Sequence, residues 1–313
     1  MNFHTYINDN HPIRKTDEQK KAFRDWAVQQ ASALGYAARV DSLGRKGQHN
    51  NVVIGDPHSA KVIFTAHYDT PARSLFPNLM VPRNVPLFIA YQFMVIGALI
   101  LISIALGVAV GALTGQPKLA MIIGEIVYFA LLFMMLIGPA NKHNANDNTS
   151  GVAAVFALME KLPESVRDRA AFILWDNEEK GMLGSKAFAK EHPKLAHLAL
   201  VVNLDCVGLG EHIIMVVNKL ARKLPAVDTL EKAMQQTPGR TFRMFRSMAG
   251  MLNSDHKSFK CGVMVCACRK GKRLGYYTPY IHTSKDTVID EENIPYLAQG
   301  LSAFVAALPE EEA

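Results

Sequence analysis

Between Arg83 and Lys142 lie 58 residues that carry two charges, Lys118 and Glu125. A run of this kind dictates where the rest of the chain can go. Pro86 to Leu113 is 28 residues in which Gln92 and Ser103 are the clearly polar side chains. "TGQPK" then supplies a turn, and Leu119 to Ile137 adds 19 residues interrupted by Glu125. Nineteen helical residues rise about 28 Å, close to the ~30 Å hydrocarbon thickness of a bilayer. The segments are apolar all round rather than striped, which excludes a surface helix. The expectation is an inserted two-helix hairpin over 84–140 that meets membrane lipid through residues 86–137. A buried helical pair inside a large core, or an apolar interface between copies, is the alternative.

With the hairpin set aside, residues 1–83 and 141–313 read as alternating helix and strand, a discontinuous domain. "DEQKKAFRDWAVQQASALG" is an amphipathic helix with Asp17 as N-cap and Gly35 as its stop. "AKVIFTAHYD", "RAAFILWDNEE", "LALVVNLDCVG" and "GVMVCAC" are continuous apolar runs, the kind buried on both sides. "TSGVAAVFALMEKL", capped by Thr149 or Ser150, and "IPYLAQGLSAFVAAL" are helices between and after them. The pattern predicts an α/β fold with a mostly parallel central sheet and helices on both faces.

Charge narrows the partners. A net charge of +6 spread over 313 residues, with no arginine-rich run, excludes a nucleic-acid surface as the main business of the chain. Arg269, Lys270, Lys272 and Arg273 read as a solvated loop. The cysteines Cys206, Cys261, Cys266 and Cys268 have no metal-finger spacing and read as buried thiols, with Cys266 and Cys268 on one face of a strand. The amino terminus lacks the apolar core of a secretory signal. Arg73, Arg83 and Lys142 flank the hairpin on one side against Lys118 in its turn, so the folded portion is expected to face the cytoplasm.

Three of the apolar runs end in imidazole or acid: His67 and Asp69, then Asp176 with Glu178 and Glu179, then Asp205. In an open α/β sheet the site lies at the carboxyl ends of the strands, where a core has no use for charge. His67 and Asp69, two apart, face the same way in extended chain. Asp69 can therefore orient one ring nitrogen while the other binds metal. The adjacent Glu178 and Glu179 diverge, so one can bind metal and the other act as general base. That is the division of labour in metal-assisted hydrolysis.

The stretches "TAHYDT", "NDNTSGVAAV", "LWDNEEKGMLGSKAF", "NLDCVG", "SDHKSF" and "YIHTSKDT" together resemble the co-catalytic di-zinc aminopeptidases, the bacterial leucyl aminopeptidase group to which glutaminyl cyclases are related. They cover the chain outside the hairpin nearly end to end. The resemblance implies two zinc ions bridged by Asp147, with His67 and Asp205 completing one and Glu179 and His282 the other. Glu178 would be the base, Asp69 the orienting group, and Asp255 and His256 would line the pocket. Cobalt or manganese would suit similar ligands. The implied activity is removal of amino-terminal residues from a peptide substrate. A glutaminyl-cyclase-like acyltransferase and a non-enzymatic membrane scaffold are the rivals, and an oligomer is left open. The departure from the family pattern is the hairpin, which places 79 residues, 68 to 146, between the first ligand and the bridging one. Its base is therefore expected beside the pocket.

Overall fold

The computed structural model describes residues 1–246 and 253–309. The chain opens with α1 (Phe3–Asn10) and α2 (Asp17–Ala33), followed by the strands β1 (Ala38–Leu43), β2 (His49–Ile54) and β3 (Val62–His67). The hairpin helices α3 (Val85–Thr114) and α4 (Pro117–Ile137) come next, then α5 (Gly151–Lys161), β4 (Ala170–Trp175), α6 (Leu183–Glu191) and α7 (Pro193–Leu198). The remainder is β5 (Leu200–Leu204), β6 (His212–Val217), α8 (Pro225–Gln236), β7 (Thr241–Phe245), β8 (Cys261–Gly271), β9 (Gly275–Tyr277) and α9 (Asn293–Ala306).

All strands join one sheet in the order β1-β2-β4-β3-β5-β8-β6-β7, with β9 paired to β8. The four apolar runs read from the sequence are its centre, β4-β3-β5-β8, and they are mutually parallel. The flanks turn antiparallel, at β1-β2-β4 on one side and β6 against β8 on the other. Every residue of β3, β4 and β5 is buried, and side chains alternate between two cores with period two, as a pleated strand requires. Val62, Phe64, Phe172, Leu174 and Val202 enter the larger core under α1, α2, α5, α8 and α9. Ile63, Ala171, Ile173, Trp175 and Val201 enter a second core under α6 and α7. Both faces are covered, as the unbroken apolar runs predict. Cys266 and Cys268 do share a face of β8, and all four cysteines are free and buried.

Two helix starts differ in detail from the sequence reading. The N-cap of α2 is Thr16, not Asp17: its hydroxyl accepts from the Gln19 N–H while the Gln19 side chain accepts from the Thr16 N–H, closing a capping box. Asp17 sits in the first turn, where its charge suits the helix dipole. At α5 Ser150 holds the N-cap position, but its side chain makes no capping bond. Asn148 Oδ1 accepts from the Gly151 N–H at 3.1 Å, and the Ser150 hydroxyl donates to the Asn146 carbonyl instead. Gly35, at φ +86°, stops α2 as expected, in a conformation costly for other residues.

The apolar segments form the expected helical hairpin, and they are not in the core. Both helices are long and apolar enough to cross a membrane by length and composition, and none of the most apolar stretch of α4 is buried. Phe93, Leu101, Leu113, Phe129 and Phe133 are exposed along the pair. The helices touch through small residues: a Cβ on Gly107 would lie 2.5 Å from the Ala120 carbonyl, so only glycine permits this approach.

Candidate metal centre

The register of β3 on β5 brings the site together. Thr65 pairs with Asn203, so two residues further His67 and Asp205 stand side by side, on the face that alternation from Ile63 and Val201 assigns them. His67 Nε2 lies 3.8 Å from Asp205 Oδ1 and 3.3 Å from Asp147 Oδ1. On the other side of Asp147, Oδ2 lies 3.1 Å from His282 Nε2, which is 3.3 Å from Glu179 Oε2. Three clusters result among the described residues, each with its ligand atoms within 4.8 Å of one another: His67–Asp147–Asp205 and Asp147–Glu179–His282, which share Asp147, and His67–Glu178–Glu179. Glu178 points into the same cavity of about 320 Å³.

The amide run around Asp147 has a specific use. Asn148 donates to the carbonyls of His67 and Leu204 and accepts from the Cys206 N–H, clasping the ends of β3 and β5. Asn146 accepts from the N–H groups of Gly208 and Leu209, fixing the loop beyond Asp205. The N–H groups of Asn146 and Asp147 donate to the two oxygens of Asp286, four residues after His282. Asp69 serves the glutamates: its carboxylate accepts from the N–H groups of Glu178 and Glu179 at 2.9 and 3.2 Å. His67 Nδ1 meets the Asp69 carbonyl at 3.2 Å, with the Asp69 carboxylate at 3.6 Å. The ring's Nε2 is thereby left facing the acids.

Two buried cations brace these loops from behind. The Arg14 guanidinium donates to the carbonyls of Tyr68 and His11 and to Asn144 and Thr149, joining the end of β3 to the Asp147 loop. Lys20 lies 2.7 Å from Asp176 and from the Asn177 side chain, and so holds the turn that carries the glutamates. Asp176, the third acid of that strand end, is thus spent on structure. Nothing in "HPIRKT" marks Arg14. Lys20 did leave a signal, since it shares a helical stripe with Phe23, Ala27 and Ala31 where a lone lysine needs a buried partner. Asp286 lies inside "YIHTSKDT" but has no distinguishing feature there.

Backbone conformation concentrates at the same place. Of the six non-glycine residues with positive φ among the described residues, five are Asn177, Met182, Cys206, Tyr280 and His282, all in the loops around the cavity. Strain of this kind gathers where side chains must be aimed.

The charges need a counter-ion. Burial alone would lower His67, but Asp147, Asp205 and Asp69 hold its pKa well above the ordinary value. Burial likewise opposes charge on His282, and Glu179 and Asp147 raise it well above the usual range. Burial pushes the Glu178 carboxyl well up, with Glu179, Asp255 and Asp205 adding to it. Asp255, buried in the turn Asp255–Ser258, is pushed up to about 7, and buried His256 down to about 3, burial being the main cause in both. Neither of these two lines the cavity. The donor set, histidine nitrogen with carboxylate oxygen, is one that zinc accepts, and Glu179 Oε1 is buried without a hydrogen-bond partner.

The family model of Peptidase family M28 matches residues 133–304. The chain belongs to this family. Members typically hold zinc, and peptides are the substrate class the family implies. The fold is similar to that of a zinc-dependent exopeptidase from Parabacteroides distasonis at TM-score 0.59 and 15% identity, covering 98% of this chain and 97% of that one. Glutaminyl cyclase from Porphyromonas gingivalis matches at TM-score 0.61 and 13% identity, covering 97% and 96%. The LapA aminopeptidase of Legionella pneumophila matches at 0.58 and 15%, covering 97% and 69%. No curated protein matches the chain. At these identities the structural likeness establishes the fold, and the chemistry must come from the site.

The shared carboxylate makes one prediction. Asp147→Ala removes a donor from both clusters that share it, so zinc measured by mass spectrometry after dialysis should fall further than in Asp205→Ala or Glu179→Ala. Two zinc ions per chain retained in Asp147→Ala would refute a shared ligand.

Proposed function

We propose that this M28 chain is a membrane-anchored zinc aminopeptidase, with a catalytic domain formed by residues 1–83 and 141–313 and an anchor inserted at 84–140. The observation that carries the reading is the pair of donor clusters that share Asp147, with Glu178 grouped instead with His67 and Glu179 in the same cavity. His67, Asp147 and Asp205 would hold one zinc ion, and Asp147, Glu179 and His282 the other. Bound zinc supplies Lewis acidity and brings the pKa of water towards neutrality. Glu178 takes the proton of the attacking water and delivers it to the leaving amine. Burial raises its carboxyl pKa from the ordinary value, which makes it the stronger base once ionised. Asp69 keeps the two glutamates apart in direction by holding both their N–H groups.

The full donor set favours hydrolysis over the glutaminyl-cyclase alternative, which goes with one zinc and fewer ligands. It also disfavours a non-enzymatic scaffold, which has no use for buried acids at this energetic cost. Arylamides of single amino acids, assayed with and without chelator beside a substrate with amino-terminal glutamine, separate hydrolysis from cyclisation. Glu178→Gln should keep both zinc ions and lose roughly 10²–10⁴ in kcat with little change in KM. Wild-type turnover in that variant would remove Glu178 from the role.

The anchor reading rests on the exposed apolar surface of the hairpin, larger than a solitary soluble chain ordinarily presents. The flanking Arg73, Arg83 and Lys142 favour a cytoplasmic catalytic domain. All four native cysteines are buried, so introduced ones can be read against a low background. Gln116→Cys in the turn should react with an impermeant maleimide on intact cells, and Lys142→Cys should not. The reverse labelling would invert the topology.

A further inference from the structure

β8 outruns its neighbours in the sheet. Its pairing with β6 ends at Cys268 opposite His212, and Arg269, Lys270 and Gly271 continue with β9 alone. The register Gly271 opposite Gly275 leaves Lys272, Arg273 and Leu274 as the turn of this two-stranded ribbon. Lys270, Lys272 and Arg273 are exposed, and Arg269 is half-buried. No ion pair joins any of the four to a carboxylate among the described residues. The Lys270 ammonium instead stands 5.4 Å from the centroid of the Tyr276 ring. Positive charge is thus gathered at one tip without local neutralisation.

The tip projects from the same end of the fold as the apolar hairpin. β8 runs parallel to β5, and β5 to β3, so their carboxyl ends lie together, and the chain leaves β3 at that end to build the hairpin. Two contacts then fix the tip in place. Asn84 caps α3 through Oδ1, and its Nδ2 donates to the Leu274 carbonyl at 3.3 Å. Four residues earlier, the Met80 carbonyl accepts from the Thr278 N–H at 2.9 Å. The basic turn therefore touches the first turn of the helix that is apolar enough to cross a bilayer.

We propose that the β8–β9 turn is a docking surface for an anionic lipid bilayer, with Lys270, Lys272 and Arg273 meeting the headgroup phosphates. This rests on the anchor reading, because a hairpin that crosses the bilayer brings its own first turn, and with it this tip, to headgroup level. Each basic side chain at an anionic membrane surface contributes about fivefold in partition. A nucleic acid would have to approach through the space that the bilayer fills. Orientation is the consequence. The roots of the hairpin pair with each other, Arg73 N–H on the Pro139 carbonyl and Asn141 N–H on the Pro71 carbonyl, so α3 and α4 enter the membrane side by side. Two adjacent crossings define an axis about which the domain can tilt, and a third contact at the basic tip removes that freedom. Met80 and Phe88, on either side of Asn84, line the cavity over the donor clusters, so docking of the tip sets the attitude of that cavity to the headgroups.

Full-length protein in phosphatidylcholine vesicles, doped with spin-labelled phosphatidylglycerol or spin-labelled phosphatidylcholine, reports which lipid its surface retains. The motionally restricted signal should favour phosphatidylglycerol on the order of tenfold at low salt. That preference should fade at 1 M salt, where the screening length is about 3 Å. The triple variant Lys270→Gln, Lys272→Gln, Arg273→Gln should lower it to about threefold or less, while Lys118→Gln in the far turn should stay within about twofold of wild type. An unchanged thermal midpoint in detergent shows that the loss is local, and Lys272→Gln with Arg273→Gln gives the same reading if the triple variant folds poorly. Protein that stays in the vesicles through alkaline carbonate but shows no preference, or one undiminished in the variants, overturns the docking surface and leaves the anchor standing. Release by carbonate removes the anchor and the docking surface with it. Binding of a single-stranded oligonucleotide that the triple variant loses, with lipid preference unchanged, would reassign the patch to nucleic acid.

Discussion

The parallel pairing of β3 with β5 is the constraint from which the site follows. Because Thr65 stands opposite Asn203, and side chains alternate, His67 and Asp205 emerge together on one face with no room for independent adjustment. A slip of one residue in either strand would turn one of the two to the opposite face and separate the pair. Asn148 closes the arrangement by donating to the His67 and Leu204 carbonyls at the ends of the two strands. Its neighbour Asp147 is then fixed above the gap between the strands. The amides of that loop are there to satisfy the ends of a sheet, and the acid is there because the sheet ends hold it in place.

Charge balance makes the same point energetically. Carboxylates Asp69, Asp147, Glu178, Glu179 and Asp205 converge on two imidazoles in a buried space, and burial penalises every one of them that ionises. Arg14 offsets part of this from behind. Burial lowers the guanidinium's pKa to about 10, while Asp69 and Asp147 raise it. A chain does not accumulate such charge in its interior for stability, since apolar residues would pack there at less cost. The arrangement makes sense as a receptacle for dications.

Much of this was legible beforehand, and the reasons are specific. Strands buried on both faces are uninterrupted apolar runs, so β3, β4, β5 and β8 announced themselves, and the charged ends of β3, β4 and β5 pointed to the candidate site. The hairpin was legible because 58 residues with two charges admit few structures. The edge strands β1 and β7 were not. Both are half exposed and mix polar with apolar residues, so no run marks them. The bracing roles of Arg14, Asn146, Asn148 and Asp286 were invisible for a different reason. Each joins segments more than fifty residues apart, and only the assembled topology decides which backbone groups need a partner. The N-cap of α2 shifted by one residue because Thr16 and Gln19 satisfy each other, which Asp17 with Lys20 could not do.

Placing an apolar hairpin between His67 and Asp147 is tolerable because its roots pair with each other and with the His282 loop, so the insertion closes a short gap in the fold whatever its length. The central claim remains the shared carboxylate. Anomalous diffraction at the zinc edge from crystals grown with zinc tests it most directly. The account predicts two peaks roughly 3.5–4 Å apart, one beside His67 and Asp205 and the other beside Glu179 and His282, each within about 2.0–2.2 Å of an Asp147 oxygen. A single peak, or two peaks of which either lacks Asp147 as a ligand, would contradict it.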